Sequence, residues 1–150
     1  MLEMHPVEPV VVVCHADADR CDEIARAYPG AVRFAPDEVL VIGTASPDPA
    51  LDLVARVSRD AGDEALVLDA SDGWAGVRLA GPSAREAFEH LSRLELPEGG
   101  VVLGDVVRAP AVVTTVGPDV SILVPSTFGE HLRARVLERC RHLGVREVGS

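Results

Sequence analysis

Apolar and polar positions alternate along this chain in two rhythms, and their order predicts the architecture. Val10 to Cys14 is an unbroken apolar run, as expected of a buried strand. From Asp17 to Tyr28, apolar side chains recur at Cys21, Ile24, Ala25 and Tyr28, the spacing of one helix face, and Pro29-Gly30 ends it. Ala31 to Ala35 and Val39 to Gly43 flank Pro36-Asp37-Glu38 and read as a hairpin. A second helix follows, with Asp48 as its cap and Pro49 at its first position, where the missing N–H costs nothing. Leu53, Val54, Val57 and Ala61 face inward, and Gly62 stops the helix. Ala65 to Ala70 is the closing strand. The order is βαββαβ.

The remainder repeats it. Trp74 to Ala80 alternates as a strand, and Ser83 with Glu86 forms a capping box. That box opens a helix presenting Ala84, Ala87, Phe88, Leu91 and Leu94 on one side. Ala111 to Val116 and Val120 to Val124 pair across Gly117-Pro118-Asp119. A second capping box, Thr127 with Glu130, starts a helix lined by Phe128, Leu132, Val136, Cys140 and Leu143, and Gly144 stops it. Val145 to Val148 is a short final strand, while Glu95 to Arg108, with Pro97 and Gly99-Gly100, reads as a loop. The same offset of 82 residues separates Pro36 from Pro118 and Gly62 from Gly144. The expected fold is therefore α+β, a single domain over residues 1–150 made of duplicated ferredoxin-like βαββαβ halves with antiparallel sheets, about 8–70 and 71–149.

Composition narrows the function. The chain has 150 residues, 47% of them hydrophobic but only 3% aromatic, so Val, Ala and Leu must build the core. A domain of this length buries roughly 70% of its unfolded surface. All 14 basic residues are arginine, and 24 carboxylates leave a net charge of −10. A nucleic-acid partner is not expected, because phosphate contacts need clustered Lys or Arg. Met1 to Pro9 lacks the basic start of a secretory signal, and no apolar run approaches the ~20 residues of a membrane span. With three cysteines in no obvious pairing, the expectation is a cytoplasmic protein with reduced thiols and no membrane partner.

Few clusters suggest chemistry. Cys14-His15 and Cys21 lack metal-site spacing and read as small core residues beside a surface histidine. Cys140 lies on an apolar helix face and reads as packing. His90 and His131 lie beside apolar faces next to Glu89 and Glu130, and Arg135, Arg139 and His142 share a solvated face suited to a helix C-terminus. No GxSxG, P-loop or GxGxxG motif is present, so neither a catalytic nor a metal residue is assigned. The segment Asp69-Ala70-Ser71-Asp72-Gly73-Trp74 places two carboxylates, a hydroxyl and the sole tryptophan at the junction of the halves. Asp69, Ser71, Asp72 and Trp74 are the candidate ligand- or partner-facing residues; the alternative is a polar turn leading into a strand.

Three stretches carry a resemblance. Ala35 to Gly43, containing Pro36-Asp37-Glu38, resembles the GPDEWLLL stretch of sarcosine oxidase gamma subunits. Val67 to Arg85, with Asp69-Ala70-Ser71 and Gly81-Pro82-Ser83-Ala84-Arg85, resembles the DxS…GPxAR signature. That signature is shared with the folate-binding domain of the glycine-cleavage T-protein (aminomethyltransferase) superfamily. Ile122 to Phe128 is similar to a later strand-to-helix segment of the same proteins. Asp72 stands where relatives often have His, and Asp119 lies in a tight turn with no Gly-rich insertion of the kind that bears the T-protein catalytic aspartate. The resemblance implies a non-catalytic accessory subunit docking on a larger flavin- or folate-dependent oxidoreductase or one-carbon enzyme. It leaves open tetrahydrofolate as a ligand, self-association, a stand-alone folate-binding or aminomethyl-transferring enzyme, and an amino-acid-sensing module.

Overall fold

The computed structural model describes residues 1–43 and 49–149, so the Asp48 cap lies outside the described residues. In chain order the elements are β1 (Leu2–Val7), β2 (Val11–His15), α1 (Ala18–Ala27), β3 (Ala31–Ala35), β4 (Glu38–Ile42), α2 (Pro49–Ala61), β5 (Leu66–Asp69), β6 (Trp74–Ala80), α3 (Ala84–Glu89), β7 (Val101–Val106), β8 (Ala109–Val116), β9 (Asp119–Pro125), α4 (Gly129–Arg139) and β10 (Val145–Glu147). They divide into two compact units, Pro9–Gly73 and Met1–Glu8 with Trp74–Ser150. The architecture is α+β with ferredoxin-like units and almost wholly antiparallel sheets. No helix among the described residues is long and apolar enough to cross a membrane.

In the unit Pro9–Gly73 the four strands lie in the order β3-β4-β2-β5, every neighbour antiparallel. Alternation along the strands sends Val12, Cys14, Val39 and Val41 to the face covered by Cys21 and Ile24 of α1 and Leu53, Val57 and Ala61 of α2. Burying a Val, Leu or Ile side chain of this kind contributes about 1.5–3 kcal/mol. Helix α1 starts because the Asp17 carboxylate accepts the Arg20 N–H at 2.8 Å, a cap of about 1 kcal/mol. It ends at Tyr28, held extended ahead of Pro29.

The Tyr28 hydroxyl donates to the Asp60 carboxylate on α2. Burial, together with that bond, pushes the phenol up to about 12 from an ordinary value of 10.0. A raised folded-state value means this contribution to stability is fully present below about pH 10 and is lost as pH climbs toward 12. Tyr28 is the chain's single tyrosine, so ultraviolet titration of the native protein is expected to show one phenolate transition near 12. A native midpoint near 10 would contradict the arrangement.

In the other unit the six strands run β10-β1-β6-β9-β8-β7, with only β1 and β10 parallel. Strands β1-β6-β9-β8 reproduce the order of the first sheet. The slot beside β6, where the closing strand of a βαββαβ unit belongs, is taken by the N-terminal β1, and β10 is displaced to the outside of it. Two segments thus differ from the sequence expectation: residues 2–7 form a strand, and the presumed loop 95–108 contains β7, which pairs with β8. Leu2, Leu79, Phe88, Ile122, Leu132 and Val136 are at most 1% exposed and centre the core under α3 and α4.

Both capping boxes are absent. Ser83 sits at the N-cap of α3 with φ −93° and ψ 4°, outside the extended geometry that aims a cap side chain at the first turn, and its hydroxyl makes no capping bond. A 3₁₀ turn, Ser126–Phe128, precedes α4, so Thr127 lies inside that turn and not ahead of the helix. Gly144, with φ 70°, does stop a helical segment, the 3₁₀ turn Arg141–Leu143 that follows α4.

Candidate functional site

The junction residues resolve into separate roles. Strand β5 ends at Asp69, whose carboxylate accepts the backbone N–H of Ser71 at 3.0 Å. The Ser71 side chain, and after it that N–H, holds the Asp69 carboxyl below the usual carboxylate range. The Ser71 hydroxyl accepts the Val11 N–H at 3.0 Å. This short turn therefore ties the end of β5 to the start of β2. Asp72 is exposed in the 3₁₀ turn Ser71–Gly73. Trp74 is half-buried, opens β6 in the other unit and pairs with Pro125. Of the four, the structure brings Asp69 and Ser71 together, in a bond that stabilises the turn.

A substitution separates ligand contact from scaffolding. Val11 is fully buried, so Ser71→Ala leaves its N–H without its present acceptor. Orphaning a buried backbone donor costs about 1–3 kcal/mol. Denaturant unfolding of Ser71→Ala is expected to show a loss in that range, and an unchanged midpoint would remove the scaffolding role.

The GPxAR stretch is also structural. Gly81 has φ 102°, a left-handed geometry, and a Cβ there would stand 2.8 Å from the Met1 carbonyl oxygen. Ala84 is fully buried, and the Arg85 guanidinium donates to the Gly117 carbonyl at 3.1 Å, bracing the β8–β9 turn. Asp119, the first residue of β9, pairs with Arg78 of β6 at 2.7 Å, a cross-strand ion pair.

An apolar cleft of about 260 Å³ lies in the unit containing β6. Met4, Pro6, Ala75, Gly76 and Val148 form its wall, and Arg133 with Glu147 closes one side. The guanidinium and carboxylate meet in two parallel bonds of 2.6 and 3.0 Å, the bidentate geometry that fixes both side chains. Pockets for drug-sized ligands hold about 300–1,000 Å³. The cleft is smaller, and its walls suit an inserted apolar side chain. The polar groups at the cleft, Arg133 and Glu147, are engaged with each other, and the Asp69 carboxylate and Ser71 hydroxyl with backbone groups of their own unit.

The outer face of β5 holds none of the candidate residues of the sequence. This strand is at the sheet edge, and Leu66 and Leu68 are 54% and 46% exposed. They pair with His15 and Val13, which puts both on the sheet face opposite the helices. Their alternation with Val67, which packs on the helix side, was the available signal. The three thiols are buried and free, and burial pushes those of Cys14 and Cys140 up, away from the nucleophilic thiolate.

No protein-family model matches the sequence, and no curated protein does. Solved structures share the fold. A chain of the heterotetrameric sarcosine oxidase from Corynebacterium sp. U-96, in complex with pyrrole 2-carboxylate, superposes with a TM-score of 0.74 at 18% identity, covering 99% of this chain and 88% of that one. The glycine cleavage system aminomethyltransferase T from Bartonella henselae superposes with a TM-score of 0.68 at 14% identity, covering 99% of this chain and 48% of the enzyme. The chain is thus similar in fold to an oxidase subunit along nearly its whole length, and to about half of the aminomethyltransferase.

Proposed function

We propose that this protein is a non-catalytic accessory subunit, similar to the gamma subunit of sarcosine oxidase, that docks on a larger flavin- or folate-dependent oxidoreductase of amine or one-carbon metabolism. One observation carries the reading: the similarity in fold spans 99% of this chain and 88% of a chain from a heterotetrameric oxidase. The aminomethyltransferase similarity, by contrast, leaves about half of that enzyme without a counterpart here. Fold alone does not transfer an activity, so the role rests on the site as well. Asp69 and Ser71 hold their own turn together, and Leu66 and Leu68 leave an apolar patch on an edge strand, where unpaired backbone groups favour association.

The test is the state of the chain in native extract. Size-exclusion chromatography followed by native mass spectrometry is expected to find it at fixed ratio with a larger, flavin-absorbing chain. A chain that is always monomeric, or bound only to itself, overturns the proposal.

A further inference from the structure

We propose that Glu86, His90 and His142 form a surface site for a divalent transition metal of the Zn²⁺ type. Each offers one donor atom, and the three donors lie within 4.8 Å of one another. The two imidazole Nε2 atoms are 3.2 Å apart, with the rings nearly perpendicular at a centroid distance of 4.5 Å. Two nitrogens bound at about 2.0–2.1 Å to a tetrahedral zinc stand about 3.3 Å apart, so the histidines already hold the separation that a shared ion requires. Two imidazoles with one carboxylate select a borderline metal over Ca²⁺ or Mg²⁺, which prefer oxygen ligands throughout.

The scaffold explains why the side chains meet. Glu86 and His90 are four residues apart, on one face of α3 and its C-terminal cap. His142 comes from the 3₁₀ turn after α4. These elements are pinned at their base, where the Cys140 thiol donates to the Ala87 carbonyl at 3.7 Å and both residues are fully buried. Each histidine stands two or three residues from that contact, so little ordering remains for metal binding to supply. The C-terminal end of α4 adds partial negative charge on the same side. Cations also face the site: Arg93, Arg108 and Arg139 line the groove beside His90, opposed by Glu89 and Asp105. The carboxylate of Glu86 therefore offsets local positive charge as well as ligating. All three residues are exposed, which leaves the remaining coordination positions to water.

Titration calorimetry with ZnCl₂ on the full chain is expected to give one ion per chain. Even outer-shell partners of metal ligands cost about 10–100-fold in affinity, so His90→Ala and His142→Ala should each weaken binding at least tenfold. Glu86→Gln should weaken it less, and His15→Ala, on β2, should leave it unchanged. Histidine ring signals in NMR provide a readout on the unaltered protein: at one equivalent, two of the five histidines shift. Binding that survives both alanine substitutions, or shifts spread over all five histidines, would overturn the site and leave only a hydrogen-bonded surface pair.

Discussion

Replacing Leu66 and Leu68 together by aspartate is expected to release the protein from its larger partner while leaving it folded. The two side chains are 54% and 46% exposed on β5, on the sheet face away from α1 and α2. Substitutions at such positions usually change folding stability by no more than about 0.5 kcal/mol. A leucine anchored in a partner's pocket is different, because truncating a central anchor costs about 2 kcal/mol or more, roughly thirtyfold in affinity. Two carboxylates in place of two such anchors add the desolvation of charge, and the chain already carries a net charge of −10. Comigration with the partner should therefore disappear, with single substitutions weakening it by about thirtyfold or more. Val116→Asp is the control, since Val116 is 77% exposed at the β8–β9 turn, and its complex should persist. A double variant that binds as well as the parent would exclude the β5 edge as the docking surface.

How much of this could be read beforehand depends on whether the contacts are local. The Val10–Cys14 run, the helix faces of Ile24, Leu53 and Val57, and the Pro36 and Pro118 hairpins all follow from short-range periodicity, and each is where the pattern puts it. Strand β1 was hidden, although Leu2 and Met4 alternate with Glu3 and His5, because Pro6 and Pro9 argue against a strand. What makes it one is pairing with β6 and β10, strands remote from it in sequence. Strand β7 was obscured by Gly99-Gly100 and by its exit turn. Val107 and Arg108 adopt φ of 46° and 69°, values that turn sequences signal with Gly or Asn. Tertiary bonds hold that turn: the Val107 N–H donates to the Leu91 carbonyl at 2.9 Å, and His131 Nε2 bonds the Val107 carbonyl at 2.8 Å. In the junction segment, Asp69 and Ser71 bond to backbone N–H groups of their own unit, contacts that composition does not show. His90 and His142, 52 positions apart, meet only because Cys140 and Ala87 pack beneath them.

That packing sets the expected outcome of Phe88→Ala, a loss of about 3–5 kcal/mol. Phe88 is 1% exposed and the largest of the fully buried side chains. Helix α3 has six residues, too few for a stable helix in isolation, so its tertiary contacts hold it. Removing the ring takes away the main apolar contact of α3 and leaves a cavity between the helix and the sheet. A loss of that size is a large fraction of the 5–15 kcal/mol by which a domain is ordinarily stable. The chain's only tryptophan, Trp74, lies in the same unit as Phe88, and its only tyrosine, Tyr28, lies in the other. Trp74 fluorescence and Tyr28 absorbance therefore follow the two units separately during denaturation. The Trp74 transition should move to markedly lower denaturant. A Tyr28 transition that stays in place would show that the units unfold independently, while one that moves with it would show a single cooperative transition. Phe88→Leu, which keeps most of the volume, should cost less than about 1.5 kcal/mol. If Phe88→Ala shifts the Trp74 transition no further than Phe88→Leu does, the ring is not what holds α3 to its sheet.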